Sequence, residues 1–132
     1  MVIVDTTVWV DYFNGNATAQ TDWLERELNQ QRLGLTDLIL TEVLQGLHTE
    51  REAADTRREL LKFEVFTTGG VVLAVAAARN YRLLRSKGRI VRRTIDAWIA
   101  TFCLINNHSL LHNDSDFEPF EAFLGLAVIH PT

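Results

Sequence analysis

Val2-Ile3-Val4-Asp5-Thr6-Thr7 is a run of three apolar β-branched residues closed by a carboxylate and two hydroxyls. Such a run suits a short strand buried on both faces, because β-branched side chains pack well on a pleated surface. The late stretch Leu110-Leu111-His112-Asn113-Asp114-Ser115-Asp116 has the same order, apolar residues first and acids after. Outward from these two stretches, Arg32–Leu35, Glu64–Phe66, Ser109–His112 and Ala127–Ile129 read as further strands. Helical spacing of apolar residues covers 7–13, 18–31, 37–47, 50–62, 71–85, 95–105 and 117–123, with Thr36 or Asp37 and Thr94 as caps. Asn14-Gly15-Asn16 is a turn, and Gly69-Gly70 breaks the chain. Strands alternating with helices predict an α/β fold, a mostly parallel central sheet of about four to five strands flanked by helices, with residues 1–132 as one domain. Ligands of such sheets bind outside the carboxyl ends of the strands, which is where Asp5 and Asp114 fall.

A chain of 132 residues can bury an apolar core without covalent staples. Its single cysteine, Cys103, permits no internal disulfide and reads as a core residue. Asp5 interrupts the first apolar run, so no signal peptide is expected, and the apolar run at 71–78 is too short to span a bilayer. A cytoplasmic protein without a membrane partner is the expectation. The net charge of −4 argues against purely electrostatic binding of nucleic acid. Charge is unevenly placed, however. Residues 79–93 carry seven of the 13 basic residues and no acid, whereas from residue 94 onward there are five acids and no Lys or Arg. Such asymmetry suits either a solvated helix and loop or a phosphate-binding surface beside an acidic site.

Glu42 lies among Leu38, Ile39, Val43 and Leu44, and Asp96 beside Ile95 and Ile99. Each borders an apolar face, where a carboxylate loses hydration. Taken singly, the four acids could be helix caps or dipole partners. Helices that follow strands begin at the edge where the strands end, so Asp5, Glu42, Asp96 and Asp114 can meet in one crevice. Converged carboxylates repel unless a cation neutralises them. An all-oxygen set favours Mg²⁺, with Mn²⁺ as the second choice. The four histidines and one cysteine form no zinc pattern. The chemistry that fits is hydrolysis of a phosphodiester.

The spacing resembles the PIN-domain nucleases, most closely the VapC-type toxins of toxin–antitoxin pairs, over nearly the whole chain. Val2-Ile3-Val4-Asp5-Thr6-Thr7 is similar to that family's first motif, and Thr36-Asp37 with Thr41-Glu42-Val43-Leu44-Gln45-Gly46 to its second. Arg93-Thr94-Ile95-Asp96-Ala97-Trp98-Ile99-Ala100 resembles the third, and Leu110-Leu111-His112-Asn113-Asp114-Ser115-Asp116-Phe117 the fourth. The resemblance implies that Asp5, Glu42, Asp96 and Asp114 form the catalytic, metal-holding quartet. Thr7 supports it where the family has Ser or Asn, and Thr94 and Asp116 also support it. It further implies Mg²⁺-dependent endonuclease action on RNA, a homodimer, and inhibition by a cognate antitoxin.

Arg89, Arg92 and Arg93, just before Asp96, are the candidates for holding RNA, or else for pairing with the antitoxin or a second subunit. Two other functions compete. A phosphoacceptor signalling domain also gathers acids at strand ends and binds Mg²⁺, but needs a late Lys, and none follows Lys87. The other is a non-catalytic PIN-like binding module, against which the intact quartet weighs. Residues 5–9, Asp-Thr-Thr-Val-Trp, lack the Asp-x-Asp-x-Thr of a dehalogenase-type phosphatase, and no glycine-rich nucleotide loop occurs. His108 and His112 read as surface groups at strand ends, and Trp9, Trp23 and Trp98 as packing.

Overall fold

The structure, a computed structural model, describes residues 1–132. Strands β1 (Val2–Val4), β2 (Leu33–Thr36), β3 (Glu64–Phe66) and β4 (Ser109–Leu111) form one sheet in the order β3-β2-β1-β4. All three pairings are parallel, with Val2 opposite both Leu33 and Ser109. Helices α1 (Thr6–Phe13), α2 (Ala19–Glu27), α3 (Asp37–Gln45), α4 (Glu50–Leu60), α5 (Gly70–Ser86), α6 (Thr94–Asn106) and α7 (Glu118–Leu124) flank it. A 3-10 turn, Ser115–Phe117, leads into α7. No helix is long and apolar enough to cross a membrane.

β1 and β2 are buried along their whole length, as expected of central parallel strands covered on both faces. Trp9, Phe117 and Phe120 are the largest fully buried side chains around them, and Cys103 is in the same core. Trp23 and Trp98 are half-buried against it, so all three tryptophans pack as expected. β3 is an edge strand, and Arg32 bridges to its exposed Glu64 at 2.7 Å.

The elements depart from the sequence pattern in two places, and one open alternative is resolved. Ala127–Ile129 makes only a single parallel bridge, Val128 to Leu110, so the sheet has four strands and not five. Pro131 has no N–H with which to lengthen that ladder. The second helix stops at Glu27, well before residue 31. Its start is firm, because Thr18 and Thr21 cap each other's backbone N–H. Thr36, not Asp37, caps α3, accepting from Ile39 N at 3.2 Å.

Gly34 sits in β2 between two strands, and only a residue without Cβ fits there. An added Cβ would lie 2.9 Å from the Glu64 carbonyl oxygen and 2.9 Å from Met1 Sδ. Gly34→Ala is therefore expected to cost about 1–3 kcal/mol by overpacking. Urea denaturation should show a lower midpoint at unchanged slope. A wild-type midpoint would mean that the β2–β3 spacing yields freely.

Candidate metal centre

β1 and β4 are adjacent and parallel, so their carboxyl ends release Asp5 and Asp114 on the same edge of the sheet. Asp5 is 3% exposed and caps α1, where its Oδ2 accepts from Thr7 N at 3.3 Å and from Thr7 Oγ1 at 3.0 Å. Thr7 Oγ1 also accepts from Asn113 N at 3.2 Å, so one hydroxyl ties the end of β1 to the loop that carries Asp114. Thr7 therefore touches both Asp5 and the Asp114 loop. Asp114 begins the 3-10 turn, its Oδ1 accepting from Asp116 N at 2.9 Å. Capping of that turn therefore falls to Asp114, while Asp116 turns to the Arg92 guanidinium at 2.9 Å.

α6 starts at the same edge and brings in Asp96, which is 1% exposed. α3 contributes Glu42, whose Oε1 accepts from Thr6 Oγ1 at 2.7 Å. Thr6 was not singled out in the sequence. Its neighbour Thr7 carries the motif signal, but only the α1–α3 packing shows that Thr6 meets Glu42. Thr94 does not cap α6. The cap residue is Arg93, whose side chain makes no capping bond, and Thr94 is exposed with no side-chain hydrogen bond.

Arg93 instead turns inward. Its Nε and Nη2 donate to the two oxygens of Asp96, both at 3.1 Å. The same guanidinium lies 3.5 Å from Glu42 Oε2 and 3.5 Å from Asp114 Oδ2. Oxygens of Asp96, Asp114 and Asp116 lie within 4.8 Å of one another, a spacing that a metal ion could bridge. The tightest acidic group therefore includes Asp116, whereas Asp5 and Glu42 line the crevice beside it. The set is purely carboxylate and hydroxyl oxygen, which fits a hard divalent ion and not a soft one.

Burial dominates the electrostatics. It pushes the Asp5 carboxyl up to about 7, against the hydrogen bonds from Thr7, and the nearby Glu42 charge adds to the rise. Asp96 is also raised by burial, with Arg93 pulling the other way. The hydrogen bonding that Arg93 donates to Asp96 raises Arg93 in turn. His108 and His112 are not surface groups. Both are partly buried, which lowers their pKa, and each has one ring nitrogen buried without a partner. His112 Nδ1 accepts from Asp114 N at 3.1 Å and its ring lies 5.0 Å from Phe117, so it braces the Asp114 loop.

The family model described as PIN domain matches residues 2–121. Ribonuclease VapC11 of Mycobacterium tuberculosis is 26% identical over 120 residues, covering 89% of this chain and 90% of the relative. Among solved structures, VapBC2 of Rickettsia felis, bound to a DNA fragment from its promoter, superposes with a TM-score of 0.77 at 17% identity, covering 98% of each chain. VapBC-5 of Mycobacterium tuberculosis, a member of the VapBC family of toxin-antitoxin systems, gives 0.69 at 21% identity, covering 97% of this chain and 96% of that one. At such identities the superpositions speak for the fold.

The Asp5 shift has a defined sign. Its folded pKa, about 7, lies above the ordinary 3.8, so the native state holds the proton more tightly. In the absence of divalent ions, its contribution to stability is full below about pH 4 and is lost as pH rises to about 7. Asp5→Asn removes the effect, and subtracting the two profiles cancels the opposite trends of His108 and His112. Relative to Asp5→Asn, the wild type should lose up to about 4 kcal/mol between pH 4 and pH 8. Parallel profiles from chelator-treated samples would show that Asp5 stays ionised throughout.

Proposed function

Because this chain belongs to the PIN-domain family, we propose that it is a Mg²⁺-dependent endoribonuclease, the toxin of a toxin–antitoxin pair, that hydrolyses RNA at the carboxylate crevice. The observation that carries this is the gathering of Asp5, Glu42, Asp96 and Asp114 at one edge of the sheet, each held by a partner from another segment or by a local cap. The VapC ribonuclease relatives and the VapBC neighbours support it.

Asp5, Asp96 and Asp114 would hold the ion, with Asp116 as the alternative to Asp114 or an addition to it. When bound, Mg²⁺ or Mn²⁺ lowers the pKa of water and offsets charge on the phosphate. The protein's part is positional. Thr7 orients Asp5 and links it to the Asp114 loop, and His112 holds the Asp114 backbone. Glu42, held by Thr6 through one oxygen, keeps the other directed into the crevice, where it can orient a water for attack on phosphorus as the P–O ester bond breaks. Of the three RNA-binding candidates, Arg92 is engaged with Asp116 and Arg93 with the crevice, while Arg89 lies 5.7 Å from the Phe123 ring and pairs with no acid.

A cognate antitoxin is the proposed partner, acting by placing a cationic side chain among the acids. RNA and antitoxin would both be met in the cytoplasm. A homodimer is proposed through the face formed by α5 and the end of α6, where Val71, Val72, Val75, Leu83 and Ile105 are exposed together. Apolar residues grouped in this way mark an interaction surface.

Two outcomes test the proposal. Cleavage of RNA should stop with chelator and return with Mg²⁺ or Mn²⁺, and Asp96→Asn should keep the fold but lose at least ~10²-fold in rate, the loss expected of a ligand that stabilises the transition state. Full activity in excess EDTA would exclude a metal nuclease. Separately, Val72→Glu combined with Val75→Glu should convert a dimer to a monomer in sedimentation velocity. An unchanged dimer would move the interface elsewhere.

A further inference from the structure

The oxygens that face Arg93 are the ones a metal ion would need. Glu42 commits Oε1 to Thr6 and turns Oε2 to Arg93, and Asp114 commits Oδ1 to the Asp116 backbone and turns Oδ2 to Arg93. Asp96 gives both of its oxygens to the guanidinium. One side chain therefore takes the inward-facing oxygen of three carboxylates that come from α3, α6 and the loop after β4. Through Nε, Nη1 and Nη2 the guanidinium occupies the space in front of these oxygens. A divalent ion would have to enter that space, and two cations a few ångströms apart repel.

Arg93 is also able to leave. Its side chain is 53% exposed although Asp96 is 1% exposed, so the fork reaches inward from solvent. It stands at the end of the non-helical link between α5 and α6, in extended backbone with φ −128°. Arginine stays charged at any working pH and suits the oxyanions of a phosphate as well as those of a carboxylate.

We propose that Arg93 is a resident counter-cation of the carboxylate crevice, which competes with the divalent ion and, once displaced, becomes a ligand for the RNA phosphate at the crevice mouth. This rests on the metal-nuclease function proposed above and adds an order of events: Arg93 would swing outward as Asp96, Glu42 and Asp114 take up the ion, and the freed guanidinium would meet the incoming backbone. The resting protein thus carries no uncompensated cluster of acids. The local Arg93-x-x-Asp96 pairing suffices for this, since it places the two residues within reach at i and i+3.

The test separates metal binding from turnover. Mn²⁺ binding to RNA-free protein is followed by the electron paramagnetic resonance signal of the free ion. Wild type should bind and Asp96→Asn should not, which establishes the centre. Arg93→Gln should then bind Mn²⁺ about tenfold more tightly than wild type, since a charge-assisted hydrogen-bond set no longer has to be broken. Its melting temperature should fall in chelator and recover with Mn²⁺. In Ca²⁺, the same variant should bind a short RNA more weakly. A purely structural arginine would weaken both affinities together. Should Arg93→Gln fail to fold, Arg93→Lys, which keeps the charge but not the fork, should bind Mn²⁺ several-fold more tightly than wild type. Equal or weaker Mn²⁺ binding by a folded Arg93 variant overturns the competition, whereas failure of wild type itself to bind Mn²⁺ overturns the metal centre and this inference with it.

Discussion

Negative charge gathered at the carboxyl edge of the sheet is the constraint to which the rest of the structure responds. Burying one carboxylate costs hydration, and burying several together adds their mutual repulsion. Three devices offset this. Asp5 and Asp114 each accept backbone N–H groups at the start of a helical turn, and Asp96 lies in the first turn of α6, so the positive ends of local dipoles face the acids. Thr6 and Thr7 donate hydroxyls to Glu42 and Asp5. Arg93 supplies a full charge to Asp96, Glu42 and Asp114 at once. The first two devices fix where the oxygens point, whereas the third is the one that can be exchanged.

The sequence disclosed the placements that follow from periodicity. A β-branched run ending in Asp5, and a second apolar run ending in Asp114, each locate a strand end, and the parallel sheet then puts both acids on one edge. Glu42 and Asp96 were legible because they interrupt apolar helix faces. What stayed hidden depends on side-chain direction, which spacing does not carry. Arg92 and Arg93 are adjacent in the chain, yet one turns to Asp116 and the other into the crevice, because α6 begins between them and the acids. Thr94 has the residue type of a cap but stands one position too late. That Asp114 also caps the 3-10 turn, while Asp116 pairs with Arg92, was not legible either, since it depends on where the backbone N–H of Asp116 points. The last strand was misjudged because its ladder needs a further backbone N–H after Ile129, and Pro131 has none to give.

Beside Asp114 lies a solvent-open hollow of about 300 Å³, lined by Asn113, Asp114, Ser115, Glu118, Glu121 and the two histidines His112 and His130. On the proposed function, an RNA strand would be held chiefly by contacts beyond the acids. Of the seven basic residues in 79–93, Arg92 and Arg93 are the two in ion pairs with acids; Arg85 lies over Tyr81, and Lys87 and Arg89 lie over Phe123.

That division of labour gives the net charge of −4 a physical sense. A uniformly basic surface would bind RNA anywhere and would repel the cation that the acids attract. Here the acids are concentrated where a metal ion is needed, and the free cations lie on α5 and the link beyond it. In the resting crevice Arg93 is the one cation set against Glu42, Asp96 and Asp114. On the proposed function, the same need for positive charge would favour a divalent cofactor and would leave the site open to inhibition by a single well-placed arginine.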